Sequence, residues 1–236
     1  MESLEVKEFD EGDVAEVIAG YPELRQSSPG VLEGEIEIHH QHGVVVRQDR
    51  FSIQLTARNG TSSRLPALRE IGGRSEAIVL KHGLGDVRAI HQNLVGGTAC
   101  VCVKQEENER FPPGERLVTF IERLAIPYLF GLSYVDEFGK WPWGEYSHGG
   151  LGLLEFYSDK PWKISKNEFK EVLVSLRADS GWPDYYRQLK KPSAKRACIC
   201  GSGRAFGKCH SLAWRGLKNL IYQLGKLGLD PKSIRK

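Results

Sequence analysis

Polar and apolar positions alternate through Gly34-Glu-Ile-Glu-Ile-His-His40, the period of two that marks a half-buried strand. Gly43 turns the chain, and Val44-Val-Val46 with Phe51-Ser-Ile-Gln-Leu-Thr56 continues the strand pattern. Asn59-Gly60-Thr-Ser-Ser is a turn signal. Leu65-Pro-Ala-Leu-Arg-Glu-Ile71 reads as a further short strand, edge-like because Pro66 has no N–H to give a ladder. The expectation is an antiparallel meander of three or four strands. Ahead of it, residues 1–30 form an acidic arm with a short helix from Asp13 to Ala19, ended by Pro22 and Ser27-Ser28-Pro29-Gly30. Behind it, Gly72, Gly73, Gly83, Gly85, Gly96 and Gly97 predict irregular, closely approaching backbone from 72 to 99.

After Phe111-Pro-Pro-Gly the period changes to 3.6. Leu117, Phe120, Ile121, Leu124 and Tyr128 make one apolar helix face, with Pro127 expected to kink it. An aromatic-rich loop runs from Phe138 to Gly150. Leu151 to Tyr157 reads as a strand or a buried segment. Ser165 caps a helix reaching Arg177. Pro183 to Lys191 adds a helical turn or two, and Pro192-Ser-Ala-Lys195 is a linker. A final amphipathic helix runs from Ser211 to Leu227 on Leu212, Leu217, Leu220, Ile221 and Leu224. The class is α+β, in three parts: an arm over 1–30, a main domain over 31–190, and a small module with its helix over 191–236.

Composition bounds the setting. Of 236 residues 40% are apolar and 27% charged, enough for a packed core in a soluble protein. Apolar runs such as Leu124–Phe130 fall short of the roughly 20 residues of a membrane span, and Met1–Glu8 has no apolar signal region. A cytoplasmic protein without membrane contact is therefore expected, where cysteines serve as metal ligands or nucleophiles more often than as disulfides. The net charge of +3 hides two opposed ends. Residues 1–24 carry eight acids against Lys7, and residues 190–236 carry twelve bases against Asp230. The basic end reads either as a solvated face or as a surface for an acidic partner. It lacks the interleaved aromatics of a single-strand platform, so nucleic acid is not an expected partner.

The five cysteines fall into two groups. Cys198, Cys200, Cys209 and His210 place three thiolates and an imidazole within thirteen residues. That set closes a tetrahedral Zn²⁺ shell with no open position, a structural site. Gly201-Ser202-Gly203 lets the backbone fold tightly round an ion, and Phe206 supplies a small apolar plug. A segment this short depends on its metal to fold. The pattern Cys-x-Cys-Gly-Ser-Gly, an aromatic, then Cys-His resembles the SEC-C motif over residues 196–211. The resemblance implies structural zinc and a docking module for protein partners, and leaves the activity open.

Cys100 and Cys102 lie two apart on an expected strand, sharing a face. As residues they admit a second metal site with His91 or His148, an inert core thiol, or a nucleophile. The order of a β-meander, His91-Gln92-Asn93, Gly97-Thr98-Ala99-Cys100-Val101 and a helix opened by Pro-Pro-Gly resembles the ubiquitin-conjugating (UBC) fold. That family's signature is His-Pro-Asn followed by Gly-x-Ile-Cys-Leu. Here Gln92 stands for the Pro, and the Asn-to-Cys loop is about one residue shorter. Trp141-Pro-Trp143-Gly-Glu-Tyr146-Ser-His148-Gly149 resembles the bacterial members found in antiphage (CBASS) operons, and the likeness spans about residues 30–160.

The resemblance implies transthiolation. The Cys100 thiolate takes a ubiquitin-like C-terminus from an activating enzyme and passes it to an amine, with a CBASS nucleotidyltransferase as one target. Asn93 is then the oxyanion donor or a brace for its loop. His91 buttresses that loop or acts as base. Trp141, Trp143 and His148 wall the site or serve as core aromatics, and Tyr146 carries the same two readings. Two rivals stand beside this enzyme. One is a non-catalytic zinc adaptor that binds a ubiquitin-like protein, a chaperone or a nucleotidyltransferase. The other is a cysteine hydrolase, which needs an oriented His base.

Overall fold

A computed structural model describes residues 8–58, 64–143, 146–159 and 165–229. The turn expected at Asn59–Ser63 lies outside them. The chain divides into two compact units, Met1–Gly144 and Glu145–Lys236.

In the first unit, helix α1 (Glu11–Gly20) leads into strands β1 (Leu24–Ser28), β2 (Val31–His42), β3 (Val45–Thr56) and β4 (Ala67–Glu70). They form one antiparallel sheet in sequence order. The Asp10 carboxylate accepts the N–H of Gly12 and of Asp13 and so caps α1. The acidic arm is therefore not an appendage: α1 buries Val14 and Val17, and β1 pairs with β2. Gly34 makes that pairing possible. Its φ is +146°, and a Cβ there would stand 2.0 Å from the Glu23 carbonyl oxygen.

Leu32, Ile36 and Ile38 of β2, with Phe51, Ile53 and Leu55 of β3, are buried in the first unit's core. Phe120, Ile121, Leu124, Leu129 and Phe130 join them from a long helical run. That run is α4 (Leu117–Phe120), a π turn (Ile121–Ala125) and α5 (Ile126–Phe138). Pro127 does not interrupt it. The π turn stands immediately before the proline, with the Ile126 N–H reaching the Ile121 carbonyl. It takes up the missing donor and the ring. The resulting helix Leu117–Phe138 is long and apolar enough to cross a membrane by length and composition, but 61% of its most apolar window is buried inside the protein.

The glycine-rich stretch is less irregular than expected, for it holds helix α2 (Arg74–His82). The buried Glu70 carboxylate at the end of β4 accepts the N–H of Gly72 (2.6 Å) and of Ser75 (2.9 Å), standing in for a local cap. Arg74 then ties α2 to both neighbours. It meets both Asp49 oxygens of β3 at 2.8 Å and Asp136 of α5 at 2.9 Å, with its guanidinium 4.5 Å from the Phe51 ring. Beyond α2 only a 3-10 turn (Val87–Ile90) interrupts the loop, and another (Lys104–Glu106) precedes the one-turn helix α3 (Glu107–Arg110).

The second unit is helical: α6 (Gly149–Asp159), α7 (Lys166–Ala178), α8 (Trp182–Lys190), the one-turn α9 (Phe206–Cys209) and α10 (Ser211–Lys226). Leu151–Tyr157, expected as a strand or buried segment, is buried helix. Its packing against α10 is very close, since a Cβ on Gly216 would lie 1.7 Å from the Leu154 carbonyl oxygen. Ser165 and Glu168 form a reciprocal capping box on α7. The α10 core face is Ala213, Leu217, Leu220 and Leu224, while Leu212, expected there, is exposed.

The domain boundary expected at residue 190 falls instead after Gly144. Helix α7 packs with α6 and α8, and α10 packs with α6 and α8. The Pro192–Lys195 segment is also no free linker. The Gln188 side chain takes both the N–H and the carbonyl of Ser193, and Gly207 donates to the Ala194 carbonyl.

Candidate metal centre and candidate thiol site

Residues 91–100 form a tight loop laid on the sheet edge. Ala99 donates to the Leu68 carbonyl of β4 (2.8 Å) and bridges Gln92. Cys100 donates its N–H to the His91 carbonyl at 2.7 Å, and Asn93 donates its N–H to the Thr98 carbonyl at 2.9 Å. Inside, the Asn93 amide donates to the Thr98 carbonyl and to its hydroxyl, both at 3.0 Å. The buried Gln92 amide donates to the Gly97 carbonyl at 3.0 Å. Gly96 and Gly97 take positive φ, so the chain reverses at the exposed tip, Leu94-Val95.

The expected strand through Cys100 and Cys102 is absent. β4 ends at Glu70, so beyond Ala99 the chain has no ladder to join. Cys100 is exposed and Cys102 half-buried. Cys100 Sγ has one hydrogen-bond partner among the described residues, the Cys102 carbonyl at 4.0 Å. Among the described residues no histidine hydrogen-bonds it. The surrounding protein pushes the Cys100 thiol up. Cys102 is pushed to about 12, by burial first and then by Glu107.

His91 sits within the loop, its carbonyl accepting the Cys100 N–H. It holds φ at +55°, the one positive value outside glycine among the described residues. Its ring packs 4.7 Å from Trp141. Trp141 lies over Gly131, where a Cβ would stand 2.5 Å away, and meets Tyr128 at 6.0 Å and Trp143 at 5.7 Å. Trp143 stacks on Phe130 (5.8 Å) and meets His42 (5.1 Å). Trp141 is thus brought to the thiol loop through His91, and Trp143 belongs one step further from it. His148 and Tyr146 belong to the second unit, just ahead of α6, where Tyr146 packs on Phe156.

The second cluster assembles from local backbone. Cys198 donates its N–H to the Arg204 carbonyl (2.7 Å), and Ala197 bridges Ala205. This small hairpin turns on Gly201 and Gly203, both at positive φ. Helix α9 delivers Cys209, and His210 follows with its N–H on the Phe206 carbonyl. The ligand atoms of Cys198, Cys200, Cys209 and His210 all lie within 4.8 Å of one another, a group that could hold a metal ion. Cys198 Sγ is 3.1 Å from His210 Nδ1, and Cys200 Sγ is 3.7 Å from Cys209 Sγ. The plug is the fully buried Phe206, edge-on to Trp214 at 5.9 Å.

Ser202 has a larger part than sequence reading gave it. Its hydroxyl stands 3.2 Å from both Cys200 Sγ and Cys209 Sγ. Burial opposes the Cys200 thiolate, but Ser202 and the neighbouring thiols hold it down to about 7. Buried Cys198 is pushed up to about 12, by burial first, with the Cys200 backbone N–H opposing and the Cys200 and Cys209 side chains adding to the rise. At the thiol loop, sequence reading missed Gln92 and Thr98 as the braces, since nothing but the fold shows where their side chains reach.

No family model matches the chain, and no curated protein and no solved structure matches it. Its own architecture makes it an α+β protein with a four-stranded antiparallel sheet and a C-terminal Cys₃His cluster able to hold a metal ion.

Proposed function

We propose that the chain is a thioester-forming enzyme of the ubiquitin-conjugating type, serving bacterial antiphage defence, with a structural zinc module that docks its protein partner. The observation that carries this reading is the Cys100 loop. An exposed thiol follows a glycine reversal, and its backbone is bonded to His91 on one side and, through Ala99, to β4 on the other. The order of elements supports it: α1, a four-stranded meander, the His91-x-Asn93 loop, the cysteine, then a long core helix. Thioesters already react with thiols and amines, so the protein need only position the groups and stabilise the oxyanion.

For the second cluster, zinc fits the donors. Three thiolates and an imidazole suit its tetrahedral preference, and Zn–S bonds of about 2.3 Å give a tetrahedral edge of about 3.8 Å. Cys200 and Cys209 stand 3.7 Å apart. Bound zinc would lock the hairpin to α9 and stabilise the thiolates, while Ser202 orients two of them.

The test is a non-reducing gel after incubation with a ubiquitin-like protein, its activating enzyme and ATP. A thiol-sensitive adduct is expected, lost in Cys100→Ser and kept in Cys102→Ser. Because its surroundings raise the Cys100 thiol, adduct formation should climb roughly tenfold per pH unit from pH 7 toward 9 as the thiolate fraction grows. A competent partner that leaves no adduct favours the second reading, a non-catalytic adaptor. One observation speaks for it: the Asn93 side-chain amide donates to the Thr98 carbonyl and hydroxyl, which supports a bracing role for Asn93.

A further inference from the structure

The missing alternation of bases and aromatics that spoke against nucleic acid holds along the sequence but not in space. From Tyr185 to Leu229 the chain has ten Lys and Arg and no Asp or Glu. Helix α10 sorts part of this charge onto one side. Arg215, Lys218, Tyr222 and Lys226 fall within an arc of about 80° on a helix of 3.6 residues per turn. All four are exposed, Tyr222 by 48%, and the Lys226 ammonium lies 4.9 Å from the Tyr222 ring centre. Helix α8, which packs on α10, carries a second such row. The Arg177 guanidinium lies over Trp182 (5.8 Å), Trp182 meets Tyr186 (5.5 Å between rings, 33° apart), and the Lys190 ammonium lies over Tyr186 (4.2 Å). Both of these rings are half-buried, so each keeps an open part. The acids beside this row are already engaged. Asp184 pairs with Arg187 at 2.7 Å, and the Asp179 carboxylate accepts the N–H groups of Gly150 and Gly181.

Packing narrows the ligand. The apolar side of α10 is covered, with Ala213, Leu217, Leu220 and Leu224 buried and Gly216 set against the Leu154 carbonyl. That side is therefore spent inside the protein and cannot enter a lipid surface or a helix-binding groove. An acidic peptide would answer the charges and leave the rings without a role. A nucleic acid strand offers an anion and a flat base at every step, and unpaired bases have a free face to stack on an aromatic ring. We propose that the second unit binds single-stranded nucleic acid. Its phosphates meet Arg215, Lys218 and Lys226, and its bases stack on Tyr222, with Trp182 and Tyr186 as a further platform. This site is separate from Cys100 and goes beyond the thioester reading.

The test is fluorescence anisotropy on the full chain with labelled oligo(dT) and oligo(U) of about 15 nucleotides, the upper end of the site size of a small binding domain. An abasic deoxyribose-phosphate strand of equal length and a polyglutamate of equal charge are the controls. At least one strand that carries bases should bind about 10-fold or more tightly than the abasic strand, and the tighter of the two identifies the natural ligand as DNA or RNA. Equal affinity for the abasic strand overturns the proposal, since only charge is then recognised. Polyglutamate binding as tightly as the strands also overturns it, in favour of an acidic protein partner. Two substitutions then divide the site. Tyr222→Ala should weaken binding about 5-fold or more without changing its salt dependence, whereas Lys218→Ala should reduce the slope of log K against log salt by about 0.7. A folded Tyr186→Ala, Tyr222→Ala double variant that binds like the parent removes the stacking platforms and the proposal with them. None of these measurements involves Cys100 or a ubiquitin-like partner, so a missing gel adduct and a failure here are distinct results.

Discussion

The two cysteine groups contrast in how they are assembled. Cys198, Cys200, Cys209 and His210 are held by a hairpin and one helical turn, all within thirteen residues. The Cys100 loop is braced from far along the chain, by Leu68 of β4 and, through His91, by Trp141. In the local cluster a hydroxyl and neighbouring sulfurs hold Cys200 down to about 7, while burial pushes Cys198 up to about 12. Near the loop, burial without such donors pushes Cys100 up and Cys102 to about 12. A close set of mutually facing ligands prepares sulfur for a cation. A thiol whose surroundings offer no such donors stays protonated at neutral pH.

The contrast can be broken most forcefully at the metal cluster. Cys198→Ala or Cys209→Ala should take metal content from about one ion per chain to none, removing folding energy of order 10 kcal/mol from residues 196–210. Elemental analysis and amide exchange over that segment measure it. A variant that keeps its metal refutes the ligand assignment.

A middle effect is expected where the loop's scaffold is held at long range. Arg74→Met leaves Asp49 and Asp136 facing each other without their shared cation, at a cost of about 1–3 kcal/mol near neutral pH. Burial raises both carboxyls, but the Arg74 hydrogen bonds, with Ser133 on Asp49 and Lys81 on Asp136, bring them below the usual range. A depressed carboxyl stabilises the fold above its unfolded value near 4, and the gain is lost as pH falls through the folded value. Urea melts from pH 7 down to 3 should therefore show the variant losing less stability with acid than the parent. Parallel curves would remove the network from the account.

The smallest effect sharpens the loop itself. Asn93→Ala deletes two hydrogen bonds to Thr98, worth about 1 kcal/mol together in an exposed setting. Faster exchange of the Cys100 amide and a lower thioester yield should result, with iodoacetamide still reaching the thiol. A yield cut by 100-fold would make Asn93 the oxyanion donor rather than a brace.

Strands β2 and β3 were legible because their alternation is strict and one side is buried. β1 was not, since Leu24-Arg-Gln-Ser-Ser28 buries Leu24 alone and is made a strand by its partner β2. The run Leu151–Tyr157 carries no period to separate strand from buried helix. The choice falls to helix because α10 offers Gly216, where the α6 backbone can approach. Helix α2 was hidden between glycines, its cap supplied by Glu70 from the preceding strand. Pro127 read as a kink, yet a π turn absorbs it in a continuous helix.

By itself the sequence determined the Cys₃His cluster that could hold a metal ion. Ligand type, spacing and glycine freedom are all local, and a hairpin of that length has few ways to close. It also marked Cys100 by its distance from Gly97, but not what surrounds that sulfur. Tertiary structure decided the rest: that Ala99 hangs on β4, and that Trp141 lies over Gly131 and packs against His91. These placements depend on packing between residues tens of positions apart, where only side-chain volume and burial fix the outcome.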